Sequence, residues 1–322
     1  MKAAVYYESG PPSVFRYEDV PDPACHPRGI VFKVEAISIE GGDVLHRAGG
    51  ELARLPHIVG YQAAGTIVEV GEAVTSRRTG QRVVATMPFG SHAAMASVPV
   101  IASYVVPEGM EIEHAACIPV AFGTAHDCLF EFGHLRRGET VLVQAGAGGV
   151  GLAAVQLAKR AGATVIATAS SAERLRRLEP FGIDHGINYR DSDLVADAMR
   201  ITEGRGVDLV VDSVGGATLE ASVGALAYRG RIAWVGNAGR DEALPEVRGI
   251  MQKNATITGV YLGAEFAQSP VRTRAMVEGL IADVARGSLK VVVDRTFPLA
   301  QAAEAHAYIE SRQAFGRVVL VP

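Results

Sequence analysis

With 322 residues, 48% of them hydrophobic and 20% charged, the chain has the composition of a globular protein long enough for about two domains. Its 31 lysines and arginines against 35 aspartates and glutamates leave a net charge of −4, and no basic run marks a nucleic-acid surface. No apolar stretch reaches the roughly 18 residues of a membrane span, the first residues lack a signal-peptide core, and Cys25, Cys117 and Cys128 have no close-paired spacing, a usage that fits a reducing cytoplasm.

Residues 1 to about 120 read as β-rich. Val31–Ile37 alternates like a half-buried strand, 65–71 is a second strand between glycines, and 80–86 is a third, a spacing that suggests a small barrel or sandwich. An Ala-rich helical stretch begins near Glu113 and runs through Phe130. At Val141 the pattern changes to alternating strand and helix. Val141-Leu142-Val143 is an apolar strand, Gly146, Gly148 and Gly151 satisfy G-x-G-x-x-G, and an Ala/Leu-rich helix follows. The three glycines serve a tight turn, a close backbone approach to a pyrophosphate and close helix–strand packing, and the helix offers its unpaired amides to phosphate. Further strands at 164–169, 208–212 and 231–235, with a helix over 172–178 between the first two, predict an α/β fold with a doubly wound parallel sheet. Beyond about 258 come amphipathic helices over 272–286 and 300–311 and a last strand over 317–321.

The ordered blocks MKAAVYYESG, HIVGYQAAGTIVEVGEAV, VLVQAGAGGVGLAAVQLAK, INYRDSD, VDLVVDSVGG and AAEAHAYIESRQAFGRVVL together resemble the medium-chain dehydrogenase/reductase superfamily, in its zinc-independent quinone oxidoreductase and enoyl reductase branch. The resemblance covers nearly the whole chain. It implies a GroES-like catalytic domain built from residues 1–122 and 259–322, with a Rossmann dinucleotide-binding domain, residues 123–258, inserted between them.

Zinc-containing relatives carry a Cys three residues before an Asp, then Gly-His-Glu, then a further ligand ahead of the dinucleotide domain. Here those places hold Glu40, Tyr61-Gln62 and about Val120. Zinc takes about four ligands with soft or imidazole donors, so no metal is expected, and simple alcohol or sugar oxidation is disfavoured. The second strand ends Thr168-Ala169-Ser170-Ser171, followed by Arg174, with hydroxyl and guanidinium donors and no carboxylate at the tip. That pattern suits a 2′-phosphate and so NADPH, with Glu173 facing solvent. The resemblance adds Tyr189 beside the adenosine phosphate, Gly148, Gly149 and Val150 at the pyrophosphate, Thr124 by the nicotinamide, Gly236 and Asn237 along its ribose, and Arg317 reaching in from the C-terminal segment. The alternatives are a surface role for Arg174, a core aromatic for Tyr189 and a solvated edge-strand charge for Arg317.

Hydride transfer to a quinone or an α,β-unsaturated carbonyl needs a positioned acceptor, hydrogen bonds to a developing oxyanion and a proton. Quinone-reductase relatives carry Asn-x-x-Asp-x-x-x-Arg-x-Gly at the cleft. Asp43, Arg47 and Gly49 match, Glu40 replaces the Asn, and two tyrosines of some relatives are Leu45 and Glu51 here. The polar candidates are therefore Tyr61, to polarise or protonate a substrate oxygen, Glu40, to hold a ribose hydroxyl or orient a water, and His46, which titrates near neutral pH. Tyr61 as a packed tyrosine and His46 as a surface or core histidine are the alternatives, and Asp43 and Arg47 stand at the i,i+4 spacing of a structural ion pair. The expected function is an NADPH-dependent reductase of quinones or activated double bonds. Enoyl-thioester reduction and a non-catalytic NADPH-binding structural or sensor role stay open. Residues 254–260 read as an edge strand through which relatives pair into homodimers.

Overall fold

The computed structural model describes residues 1–241 and 244–322. The chain opens with β1 (Lys2–Val5) and β2 (Arg16–Asp19), an antiparallel ribbon. β3 (Gly29–Ser38), α1 (Gly41–Gly49), β4 (Gln62–Val70), β5 (Arg82–Thr86), β6 (Met95–Pro99) and β7 (Ser103–Val105) follow. The Ala-rich stretch is two helices, α2 (Ile112–Ala116) and α3 (Pro119–His126), closed by a π-turn over Asp127–Glu131. The expected single helix breaks because Pro119 lacks an amide and disfavours helical backbone just before it, so it starts a helix more readily than it continues one. Next come β8 (Thr140–Val143), α4 (Gly149–Arg160), β9 (Thr164–Ala169), α5 (Ala172–Leu178), β10 (His185–Asn188), α6 (Leu194–Ile201) and β11 (Val207–Asp212). α7 (Gly216–Ala225), β12 (Leu226–Trp234), α8 (Gly249–Gln252), β13 (Thr256–Gly259), α9 (Leu262–Gln268), α10 (Pro270–Ala285), β14 (Val293–Pro298), α11 (Ala302–Glu310) and β15 (Arg317–Val321) complete it.

Two compact units divide this chain, Met1–Val120 with Glu265–Pro322, and Ala121–Ala264. In the first, one sheet runs β14-β15-β3-β4-β5-β7, with β6 also paired to β3. β3 is not half-buried as its alternation suggests. Only Lys33 is exposed, because neighbouring strands and the helices over the sheet cover both its faces. Ile30, Phe32 and Ile37 pack with Ile67, Leu299, Ala305 and Leu320 in the core. β15 joins the end of β3 with Val319 opposite Ser38, which returns the C-terminal strand to the start of α1.

In the second unit six strands lie parallel in the order β10-β9-β8-β11-β12-β13. A parallel sheet is covered on both faces, and every residue of Thr140–Val143 is buried accordingly. Leu142, Ile166, Val210 and Ile232 from successive strands form the core with Leu219 and Val223 of α7. This is the doubly wound α/β architecture that the alternating pattern predicts.

Candidate functional site

In the second unit, β8 passes through Gln144–Gly148 into α4. Ala145 has a left-handed φ of +51°, and its amide donates to Thr168 Oγ1 at 3.0 Å. Gly146 N donates to the Thr168 carbonyl at 2.9 Å, and Gly148 N to the Ala145 carbonyl at 2.9 Å. A Cβ at Gly151 would run into the Ala145 carbonyl and lie 2.8 Å from Gly146 Cα. The third glycine is therefore a packing requirement, whereas a Cβ at Gly148 would meet nothing nearer than 3.3 Å. Gly148 is the N-cap of α4, and the first-turn amides of Gly149, Val150 and Gly151 have no partner within the helix. Unpaired amides at a helix N-terminus are groups to which a phosphate can bind.

At the end of β9, Ser171 caps α5 by accepting from Arg174 N at 3.2 Å. Its own O–H stays available to donate. β10 pairs in parallel with β9, Asn188 opposite Ala169, and Tyr189 N donates to the Ala169 carbonyl at 3.2 Å. The structure thus brings Ser170, Ser171, Arg174 and Tyr189 to one strand tip. Tyr189 is 45% exposed and is no core aromatic. Glu173 is exposed. Thr124 lies buried on α3. Beyond β12, Trp234 Nε1 donates to the Gly236 carbonyl at 2.8 Å and Asn237 Nδ2 to the Asp241 carbonyl at 2.8 Å. Asn237 Oδ1 is buried without a hydrogen-bond partner.

Beneath this edge runs a buried chain that sequence reasoning missed. Thr168 Oγ1 donates to Gln144 Oε1 (2.9 Å), Gln144 Nε2 to Ser222 Oγ (3.0 Å) and Ser222 Oγ to Asp212 Oδ2 (2.8 Å). Asp212 Oδ1 accepts the Val214 and Gly215 amides, both at 2.9 Å. It fixes two of the loops that follow the sheet's carboxyl ends. The only sequence signals were polar residues closing the apolar runs at Gln144 and Asp212.

In the first unit, Glu40 is the N-cap of α1 and forms a capping box with Asp43, whose Oδ2 accepts the Glu40 amide at 2.8 Å. The Glu40 carboxylate is buried. It accepts from Gln62 Nε2 at 2.5 Å, from Ser38 Oγ at 3.3 Å and from the Arg317 guanidinium. Burial raises its pKa, and Arg317, Ser38 and Gln62 pull it back. Arg317 also donates to Ser38 Oγ at 3.0 and 2.7 Å and to the Ile39 carbonyl at 2.6 Å. It is 7% exposed and is no solvated edge-strand charge. Gln62 Oε1 accepts the Val120 amide at 2.9 Å, so Gln62 links two of the family's zinc-ligand places, Glu40 and Val120, in a hydrogen-bonded network.

Tyr61 is half-buried and packs on α1, where a Cβ at Gly42 would lie 2.5 Å from its Cε2. Glu40 and Tyr61 thus flank the start of α1. His46 belongs elsewhere, its ring stacked on His57 at 4.9 Å. Asp43 and Arg47 do not form the expected i,i+4 pair. Arg47 donates to the Gly10 carbonyl and to Glu310, partners that tertiary packing supplies in place of the local one. Burial, ahead of the Glu40 charge, keeps the Asp43 carboxyl well above its ordinary range. Among the described residues no three His, Cys, Asp or Glu side chains form a metal-sized group.

Two family descriptions match the chain, "Alcohol dehydrogenase GroES-like domain" over residues 26–119 and "Zinc-binding dehydrogenase" over residues 149–279. A quinone oxidoreductase of Pseudomonas aeruginosa is 33% identical over 97% of this chain and 97% of its own. A 2-haloacrylate reductase of a Burkholderia species is 32% identical over 99% of this chain and 98% of its own. Among solved structures, Escherichia coli quinone oxidoreductase complexed with NADPH superposes with a TM-score of 0.93 at 29% identity, covering all of both chains. The chain belongs to the medium-chain dehydrogenase/reductase superfamily, in its quinone oxidoreductase branch.

Proposed function

We propose that the chain is an NADPH-dependent reductase that delivers hydride to a quinone or to the activated double bond of an α,β-unsaturated carbonyl, without zinc. The observation that carries the reading is the strand tip of Ser170, Ser171, Arg174 and Tyr189 set beside a glycine turn with free helix amides. Quinone oxidoreductase and 2-haloacrylate reductase relatives, and an NADPH-bound neighbour, support it. Gly146, Gly148, Gly149 and Val150 would hold the pyrophosphate, Ser170, Ser171, Arg174 and Tyr189 the 2′-phosphate, and Thr124, Gly236 and Asn237 the nicotinamide end, whereas the Arg317 guanidinium is already engaged by Glu40, Ser38 and Ile39. The cofactor, when bound, supplies the hydride.

The protein's own part is to orient the acceptor, keep water away and steady the oxygen on which charge develops. Tyr61 serves as the hydroxyl donor to that oxygen. Glu40 positions rather than reacts, since its carboxylate is already engaged by Arg317, Gln62 and Ser38. The same engagement, with Tyr61 and Val120 at the other ligand places, supports a zinc-independent site. Three free cysteines fit a cytoplasmic location, and no described helix is long and apolar enough to cross a membrane.

The deciding assay follows NADPH oxidation by metal-stripped protein against phenanthrenequinone, benzoquinone, an alkenal and crotonyl-CoA, with NADH in parallel. Turnover with a quinone or the alkenal is expected. Activity with the thioester alone would move the assignment to enoyl reduction, and tight NADPH binding with no turnover would leave a sensor or structural protein. Tyr61→Phe should lower kcat by ~10²–10⁴, the usual share of a positioned proton donor, with NADPH affinity unchanged.

We further propose that β13, the sheet's outer strand, pairs with its copy in a homodimer. A groove of about 620 Å³ lined by Val247, Ile250, Met251, Asn254, Ala255 and Ile257 adjoins it, and Met251 and Tyr228 are 76% and 68% exposed.

A further inference from the structure

Within the first unit a chain of rings runs through the interior. His46 stacks on His57 (4.9 Å), His57 meets Tyr6 (5.1 Å), Tyr6 meets Phe15 (5.5 Å), and Phe15 meets His306 (4.7 Å), which faces His92 (5.3 Å). His57, His92 and His306 are wholly buried, and Tyr6 Oη, both His57 nitrogens and His306 Nδ1 find no hydrogen-bond partner. The nucleotide cradle and the Glu40 network use none of these rings.

The joint between His92 and His306 bridges 214 residues of chain. His306 lies on α11, and its Nε2 is 3.1 Å from His92 Nε2. Two ring nitrogens at that distance share one proton, one as donor and the other through its lone pair. His92 Nδ1 lies 3.4 Å from Ser91 Oγ, the His92 amide donates to the Val59 carbonyl at 3.1 Å, and Glu310, one turn beyond His306, pairs with Arg47 of α1. α11 is therefore tied by side chains to segments more than two hundred residues away.

A second proton has no good place. At the shared contact it would set two N–H groups face to face, and at His306 Nδ1 it would find no acceptor. α11 packs on α1, β14, β15 and the turns at Pro12–Val14 and Leu299–Gln301. Among the described residues no carboxylate of these elements pairs with His306 or His92. Asp43 of α1 accepts the capping amide, Asp294 of β14 accepts from Tyr308, and Glu310 is held by Arg47. Arg295 lies over the Tyr308 ring, and Arg317 of β15 is held by Glu40. Glu304 completes α11, and His46 of α1 is stacked on His57.

We propose that the His92–His306 contact is an acid-released clasp: protonation parts the two rings and lets α11, with the strand β15 that follows it, come away from the N-terminal half of the first unit. Burial, then His92 and Arg47, hold His306 well below the ordinary histidine range, and burial pushes His92 down to about 3. Once exposed, both titrate near the ordinary value of about 6.5, so opening becomes easier as pH falls below it. Because β15 begins at Arg317, release also removes the partner of Glu40.

Amide hydrogen exchange on the full-length protein tests this. Corrected for intrinsic rates, the opening equilibrium of α11 should rise about thirtyfold between roughly pH 7.5 and pH 5 for one proton taken up, and more for two. The double variant His92→Leu/His306→Leu, in which both polar partners are gone, should lose that dependence. Unchanged α11 protection across this range, or the same dependence in the double variant, overturns the proposal. If the variant does not fold, ring-nitrogen NMR of the wild-type protein decides. Both rings should stay neutral in the closed form, and a ring that titrates near 6.5 while α11 remains protected refutes the clasp.

Discussion

Removing the Arg317 side chain leaves the Glu40 carboxylate buried beside Ser38 and Gln62 with no cation. Arg317→Met should therefore destabilise the protein by about 3–5 kcal/mol, and Glu40→Met/Arg317→Met by much less, because breaking a buried pair is worse than replacing it. Urea unfolding of the three proteins checks this. With Arg317 gone, the folded Glu40 pKa rises further above its unfolded value, so that contribution is lost as pH rises through it, and the single variant's deficit relative to the wild type should be smaller near pH 5 than near pH 8. Arg174→Ala should weaken NADPH by about ten- to a hundredfold and leave NADH alone, the value of a hydrogen bond to a charged group. Binding titrations with both nucleotides measure it. At this scale a contact was legible only where it was local. The capping serine at 171 and the basic donor at 174 stand three residues apart. The partner of Arg47 is Glu310, not the neighbouring Asp43, and the partner of Glu40 lies 277 residues on. No spacing rule reaches that far.

The turn into α4 separates packing from binding. Gly148→Ala meets only the Ala145 carbonyl at 3.3 Å, so the fold should survive while a methyl stands where a pyrophosphate approaches. NADPH affinity should fall at least ~10-fold, about 1.4 kcal/mol, with the unfolding midpoint nearly unchanged. Gly151→Ala should instead fail by folding, since its methyl meets backbone. Thr168→Val strands the Ala145 amide and Gln144 together, at about 1–3 kcal/mol for each buried polar group left unpaired. The cradle was readable because one short stretch contains strand, turn and helix. The chain beneath it was not, because Gln144 and Ser222 are 78 residues apart and meet only once β8 and β11 are neighbours.

Across the molecule, three histidines and two carboxyls pull stability in opposite directions. His57, His92 and His306 are neutral when folded, His57 held at about 4 by burial, His46 and Arg54. The unfolded chain binds those protons first, so their contribution falls as pH drops below about 6.5, by up to ~1.4 kcal/mol per pH unit for each. Asp43 and Glu40 have raised values and act in the reverse sense, cancelling up to two of the three protons. A net loss of at least about one proton's worth, ~1.4 kcal/mol per unit between roughly pH 6 and 5, should appear in urea unfolding. At the β13 edge, Met251→Asp should shift sedimentation toward monomer with the dinucleotide unit still folded. The parallel sheet was legible as a whole from its strand–helix alternation. The cover over β3 was not, since residues 265–322 complete the sheet to which β3 belongs.

The division of the first unit between both ends of the chain sets an order in time. The dinucleotide unit is one continuous stretch and has all its strands once residue 264 has left the ribosome. β3 must wait for β15 before Ile37 and Ser38 find Leu320 and Val319. At ~5–20 residues per second the last part of that wait, from residue 264 to β15, takes about 3–11 seconds. Throughout it the nascent chain presents an unpaired apolar strand end beside an already folded neighbour, the part of its synthesis most in need of a chaperone.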